Sequence, residues 1–263
     1  MIGATMPGTP FFSREGESYT PNDVCRGPWD PNSLHGRVVA GLLAHEIEAR
    51  WGDNAFRPAR LTVDLYRMPP FAPAEVRTSV ARDGNRIRVV DAAFISGGAS
   101  IARASAVFLK RAENPEGTVW SPPSWQVPGP LELAPPDAPG GREPMWETRV
   151  IDHGFGSTER KRAWLRENRQ LVEGEELTPF VRAAFASDFT NPFANSGSAG
   201  LQFVNADITL YLHRLPAAEW LGFEVASHHA DEGIAVAECA IYDERGAIGR
   251  SLVCALANRR TLR

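Results

Sequence analysis

Residues 61–111 recur as residues 208–258 at a constant offset of 147, with no gap. Leu61-Thr62-Val63-Asp64-Leu65-Tyr66-Arg67-Met68-Pro69 returns as Ile208-Thr209-Leu210-Tyr211-Leu212-His213-Arg214-Leu215-Pro216. Ile101-Ala102-Arg103 returns as Ile248-Gly249-Arg250. Few residues are identical, but apolar and polar positions fall largely in step. A unit this long is a duplicated domain, not a solenoid repeat. Any chemistry must therefore occur twice or sit where the copies differ.

The 263-residue chain is read as two domains, 1–111 and 145–263, each near the common size of about 100–150 residues. Residues 112–144 between them hold nine of the 21 prolines, including Pro122-Pro123 and Pro135-Pro136, and the pair Gly140-Gly141. Proline fixes φ and removes a backbone donor, so this segment is a semi-rigid tether. Trp120 and Trp125 within it are expected to pack on a domain surface.

Apolar residues make up 43% of the chain and charged ones 23%, which supports a packed core. A net charge of −4 argues against a nucleic-acid partner. Cys25, Cys239 and Cys254 show no CxxC spacing, which suits a reducing cytoplasm and no zinc or disulfide. No stretch reaches the roughly 18 apolar residues of a membrane helix, and Met1 to Pro10 lack a leader pattern. A cytoplasmic protein without membrane or nucleic-acid partners is expected.

Each copy reads as an extended segment, a helix and about four strands. The first helix is predicted over about His35 to Trp51, capped by Ser33 or Asn32 and stopped by Gly52. Val39, Leu43 and Ile47, with Leu42, form its apolar stripe. The second helix begins with Thr178 as N-cap and Pro179 in the first turn. Strands are predicted at about 74–82, 86–95 and 100–110, and at about 220–228, 234–242 and 247–258. Alternation places Val204, Ala206, Ile208, Leu210 and Leu212 on one face of a strand, and Asn205, Asp207, Thr209, Tyr211 and His213 on the other. A helix followed by an antiparallel meander is a helix wrapped by a sheet, here twice over.

Asp188 is the most suggestive polar residue. It shares a helical face with Val181 and Phe185, and a carboxylate on an apolar face must find donors or lose its charge. The competing reading turns it into the loop with Asn191-Pro192. The offset sets Gly41 opposite Asp188 in the first copy, so the carboxylate occurs once per chain. Asn205 can hold a water through its amide, or is an outward polar residue on an alternating strand. His35 beside Gly36 either contacts a substrate or is an ordinary helix-start histidine. Cys254 on a strand reads as inert unless a neighbour stabilises its thiolate. The cluster Arg160, Lys161, Arg162, Arg166 and Arg169 either attracts phosphates or forms a solvated face. His228-His229 lack the further ligands a metal site needs.

The chain resembles the acyl-CoA thioesterase II family over nearly its whole length. The resemblance rests on Ser33-Leu34-His35-Gly36, Arg82-Asp83-Gly84-Asn85, Ala163-Trp164-Leu165-Arg166, Ala186-Ser187-Asp188 and His213-Arg214, in that order. It implies an α+β double hotdog, in which two antiparallel sheets each wrap a central helix. It further implies hydrolysis of a fatty acyl-CoA by water that Asp188 and Asn205 activate, with His35 and Gly36 near the substrate. No cofactor or metal is implied, and a homo-oligomer is. The family's third partner, a glutamine on the last strand, is replaced here by Val253 or Cys254. That departure keeps a non-catalytic acyl-CoA binder as an alternative. A hotdog enoyl-CoA hydratase is the other, because Asp188-Phe189-Thr190-Asn191-Pro192-Phe193 imitates its signature without the histidine.

Overall fold

The computed structural model describes residues 8–135 and 146–258; Pro136 and Gly140-Gly141 of the tether lie outside them. The first half contains β1 (Phe12–Glu15), β2 (Ser18–Pro21), α1 (Gly36–Trp51), β3 (Phe56–Asp64), β4 (Ala74–Asp83), β5 (Ile87–Ser96) and β6 (Ala99–Lys110). The second half contains β7 (Glu147–Asp152), β8 (Arg162–Arg166), α2 (Pro179–Ser187), α3 (Thr190–Asn195) and a small hairpin, β9 (Ser196–Gly197) and β10 (Gly200–Leu201). It continues with β11 (Phe203–Asn205), β12 (Asp207–Leu212), β13 (Leu221–Asp231), β14 (Ile234–Asp243) and β15 (Gly246–Ala257).

Among the described residues one antiparallel sheet runs β1-β2-β4-β5-β6-β3-β12-β15-β14-β13-β8-β7, with β11 also paired to β15. The order is its own mirror image about the β3–β12 seam. At that seam Thr62 lies opposite Thr209, and their hydroxyl oxygens are 3.3 Å apart. These two residues are equivalents under the 147-residue offset, so the local twofold axis of the duplication passes between them. The two sheets thus join edge to edge, which pairs two strands that would otherwise present free backbone groups.

α1 and α2 pack against each other inside the curved sheet. α1 buries Val38, Val39, Leu42, Leu43 and Ile47 completely, each worth about 1.5–3 kcal/mol of transfer free energy. His35 is its N-cap, not Ser33 or Asn32: the His35 Nδ1 meets the Arg37 N–H at 3.3 Å. Ser33 is engaged upstream, where its hydroxyl donates to the Asp30 carbonyl. Gly52 ends α1 as expected, because a Cβ there would stand 2.6 Å from the Glu48 carbonyl oxygen. Thr178 caps α2, its hydroxyl accepting the Val181 N–H at 3.2 Å.

The tether crosses the C-terminal half at Trp125, which stacks on Tyr242 with ring centroids 4.1 Å apart and meets Trp164 edge-on. A Cβ on Gly222 would collide with the Trp125 ring at 2.4 Å, so this glycine makes room for the strap. Trp120 does not pack as expected; it is 84% exposed. Among the described residues, no helix is long and apolar enough to cross a membrane.

Candidate active site

Asp188 follows the last residue of α2 in helical conformation (φ −64°, ψ −21°), and the chain continues almost directly into α3. It does not turn out into a loop. It is 3% exposed and lines a cavity of about 260 Å³ at the junction of the two halves. Leu34, Leu65, Met68, Pro192, Leu201 and Val204 make that cavity largely apolar. His35, Gly36 and Asn205 line it as well, so all four residues singled out in the sequence meet in one place.

Three groups surround the carboxylate. The Asn205 amide donates to Asp188 Oδ1 at 3.0 Å. The His35 Nδ1 lies 3.1 Å from Asp188 Oδ2. Gly36 brings backbone in from the first turn of α1, and a Cβ there would be 3.1 and 3.3 Å from the two Asp188 oxygens. The His35 Nδ1 faces both the Arg37 N–H and the carboxylate. One imidazole nitrogen cannot accept from the first and donate to the second together. The cap on Arg37 and a hydrogen bond to Asp188 are therefore alternatives for this nitrogen.

Arg37, in the first turn of α1, is buried and ion-paired to Glu167 at 2.9 Å. Burial lowers the Arg37 pKa to about 10, opposed first by Glu167 and also by Asp188. Its guanidinium lies over the Trp146 ring at 4.0 Å. This pair fastens the start of α1, and with it His35 and Gly36, to the second half.

Asn205 reaches the cavity through a feature that alternation does not predict. Asn205 is opposite Ala255, yet Thr209 is opposite Leu252, so four residues on one strand match three on the other. One extra residue near Ala206 is a bulge, and it reverses side-chain parity. Asn205 therefore turns inward, on the same face as buried Ile208 and Leu210, rather than outward with Tyr211. The carboxylate of Asp207 fills the interrupted ladder by accepting the Cys254 N–H at 2.6 Å. The first copy has the same irregularity between Pro58 and Arg60. Pro58 is the 147-residue counterpart of Asn205, and proline inside a strand is a bulge signal. That was the clue in the sequence.

The last strand places Val253 inward and buried, and Cys254 outward and exposed. Partial desolvation by its neighbours, then Asp207, push the Cys254 thiol up to about 11, so it is protonated at neutral pH. The inward polar residue on β15 is Ser251, whose hydroxyl donates to the Ser187 carbonyl at 3.0 Å. Sequence reasoning passed over it, since serine on a strand carries no distinguishing signal. Among the described residues, no group of three or more His, Cys, Asp or Glu could hold a metal ion.

Both halves of the chain match known domains. Residues 25–109 match the model of the acyl-CoA thioesterase N-terminal domain, and residues 115–252 that of the C-terminal domain. No curated protein matches the sequence. Among solved structures, a hot dog fold protein of unknown function from Alicyclobacillus acidocaldarius is 14% identical with a TM-score of 0.74, covering 95% of this chain and 96% of its own. A tesB protein from Mycobacterium avium subsp. paratuberculosis is 17% identical with a TM-score of 0.67, covering 94% and 95%. An acyl-CoA thioesterase II from Mycobacterium marinum is 18% identical with a TM-score of 0.62, covering 94% of each chain. At these identities the structures establish a shared double-hotdog fold, and the two domain matches establish kinship. The chain belongs to the acyl-CoA thioesterase family.

Proposed function

We propose that this protein hydrolyses a fatty acyl-CoA at the Asp188 cavity by direct attack of water. The observation that carries the reading is the buried Asp188 carboxylate, held by Asn205 through one oxygen inside an apolar-walled cavity. A water bound to Asp188 and to Asn205 has its lone pair aimed at the acyl carbon and its proton aimed at a base. Asp188 takes that proton as the new C–O bond forms. The His35 ring, on the other carboxylate oxygen, fixes the orientation of Asp188. The Gly36 N–H at the start of α1 stabilises the oxyanion of the tetrahedral intermediate. Collapse of the intermediate breaks the C–S bond, and the proton passes to the departing CoA thiolate. No covalent acyl-enzyme is required.

The missing amide on β15 keeps a non-catalytic acyl-CoA binder in view. The test is release of free thiol from acyl-CoAs of two to sixteen carbons, a range chosen to span short and long chains. Tight acyl-CoA binding with no thiol released by any of them contradicts the reading.

A further inference from the structure

Four of the five cations in the basic cluster of the second half are committed to carboxylates. Arg160 pairs with Glu224, Arg162 with Asp152, Arg166 with Glu147 and Arg169 with Glu167. Lys161 has no carboxylate among the described residues. It is 4% exposed, and its ammonium donates to two carbonyl oxygens, Phe193 at 2.9 Å and Ser196 at 2.6 Å. An ammonium has three protons, so one donor is left over. Burial of a cation among neutral acceptors is costly, and it lowers the Lys161 pKa.

Lys161 lines a cleft of about 640 Å³, together with Ala194 and Asn195 at the end of α3. Among the described residues the Ser196 hydroxyl, in a residue 6% exposed, has no hydrogen-bond partner, and neither has the Asn195 side-chain oxygen. The wall between them is the small-residue turn Ser196-Gly197-Ser198-Ala199-Gly200, which offers backbone N–H groups and hydroxyls without bulky side chains. Phe203 and His228 line the cleft as well, their rings edge-to-face with centroids 5.9 Å apart. A cation with a spare proton, an exposed serine-glycine turn and an aromatic wall are the partners of phosphate oxygens and a nucleobase. The cleft adjoins the Asp188 cavity: Asn191 lines that cavity and accepts a 2.8 Å hydrogen bond from Asn195, which lines this cleft.

We propose that this cleft binds the phosphorylated nucleotide end of coenzyme A, with phosphate oxygens on Lys161 and the 196–200 turn and the adenine ring against Phe203 and His228. The inference rests on the acyl-CoA reading of the Asp188 cavity and adds how the carrier is recognised. It gives a role to Lys161, the one cation of the cluster with no acidic partner among the described residues.

The experiment has two arms. Calorimetric titration with adenosine 3′,5′-bisphosphate reads the cleft independently of turnover. The second arm is the ratio of kcat/KM for an acyl-CoA to kcat/KM for the same acyl group on N-acetylcysteamine, which lacks the nucleotide. Lys161→Met removes the cation but also two carbonyl contacts; Ser198→Asp sets a negative charge on the exposed turn and leaves the core untouched. In both variants bisphosphate affinity and the ratio are expected to fall about tenfold, the equivalent of one charge-assisted contact. A wild type that does not bind the bisphosphate, or a Ser198→Asp protein with unaltered affinity and ratio, overturns the proposal. If the wild type binds the bisphosphate but hydrolyses neither thioester, the hydrolytic reading fails and the nucleotide cleft stands.

Discussion

A Cβ on Gly41 would stand 2.4 Å from Cδ2 of Phe185, so α1 and α2 cross where α1 has no side chain. Gly41 is also the 147-residue counterpart of Asp188. The first copy therefore has no room for a carboxylate at the position where the second copy carries one. The single candidate site per chain follows from how the helices pack.

Gly41→Ala tests that crossing. Alanine gains about 1 kcal/mol of helix propensity over glycine, but the methyl group overpacks a closed contact at about 1–3 kcal/mol. Urea unfolding is expected to show net destabilisation. A more stable variant would mean that Phe185 swings aside freely and that the helix spacing does not depend on glycine.

Asn205 is expected to matter for chemistry more than for folding. Asn205→Ala should lower kcat about 10²-fold, at the lower end of what positioned proton transfer contributes, with little change in unfolding midpoint. Asn205→Asp sets a second carboxylate against Asp188. Two like charges at this distance raise the pKa of one of them. The acid limb of the kcat/KM profile should then move to higher pH; an unmoved limb would show that Asp188 is not the titrating base.

Gly36→Ala probes the approach of α1 to the carboxylate. The new methyl lands 3.1 Å from Asp188 Oδ1 and 3.3 Å from Leu65 Cδ1. Alanine suits a helix start, so stability should hold, while displaced reacting groups cost about tenfold or more in kcat/KM. Wild-type kinetics in this variant would place the thioester away from the α1 terminus.

Arg214, one of the residues that carries the family resemblance, is a clamp. Both its terminal nitrogens meet Asp243 at 2.6 Å, and Asp243 also accepts the Ala217 and Arg245 N–H groups. Burial raises the Asp243 pKa, but these partners outweigh it and hold the carboxyl below its ordinary value. A folded-state pKa below the unfolded one gives stability that is complete above the unfolded value, about 3.9, and is lost as pH falls through the folded value. Asp243→Asn should cost about 3 kcal/mol at pH 7, and the gap from wild type should narrow below about pH 4. A gap constant from pH 7 to 3 would mean that the Asp243 charge does not stabilise the fold.

Much of this fold was legible because the duplication supplies two readings of each element. Shifting β5 and β6 by 147 residues lands on β14 and β15 end to end. Thr178-Pro179 and Gly52 marked helix ends through local chemistry that packing did not override. The inward turn of Asn205 was hidden because strict alternation assigns it to the outer face, and one bulged residue reverses that. Its trace was Pro58, legible only when the two copies are compared. The approach of His35 to Asp188 joins two helices 153 positions apart in the chain, a contact no local pattern encodes. The isolation of Lys161 among paired arginines was equally invisible, since the sequence lists the cations without the acids they meet.

The most direct measurement is thiol release from acyl-CoA by wild type and by Asp188→Asn, both checked for folding by thermal unfolding. Asparagine keeps the shape and the contact with Asn205 but cannot take a proton from water. A folded variant whose kcat falls by about 10² or more supports the account. A folded Asp188→Asn protein that releases thiol at the wild-type rate contradicts it.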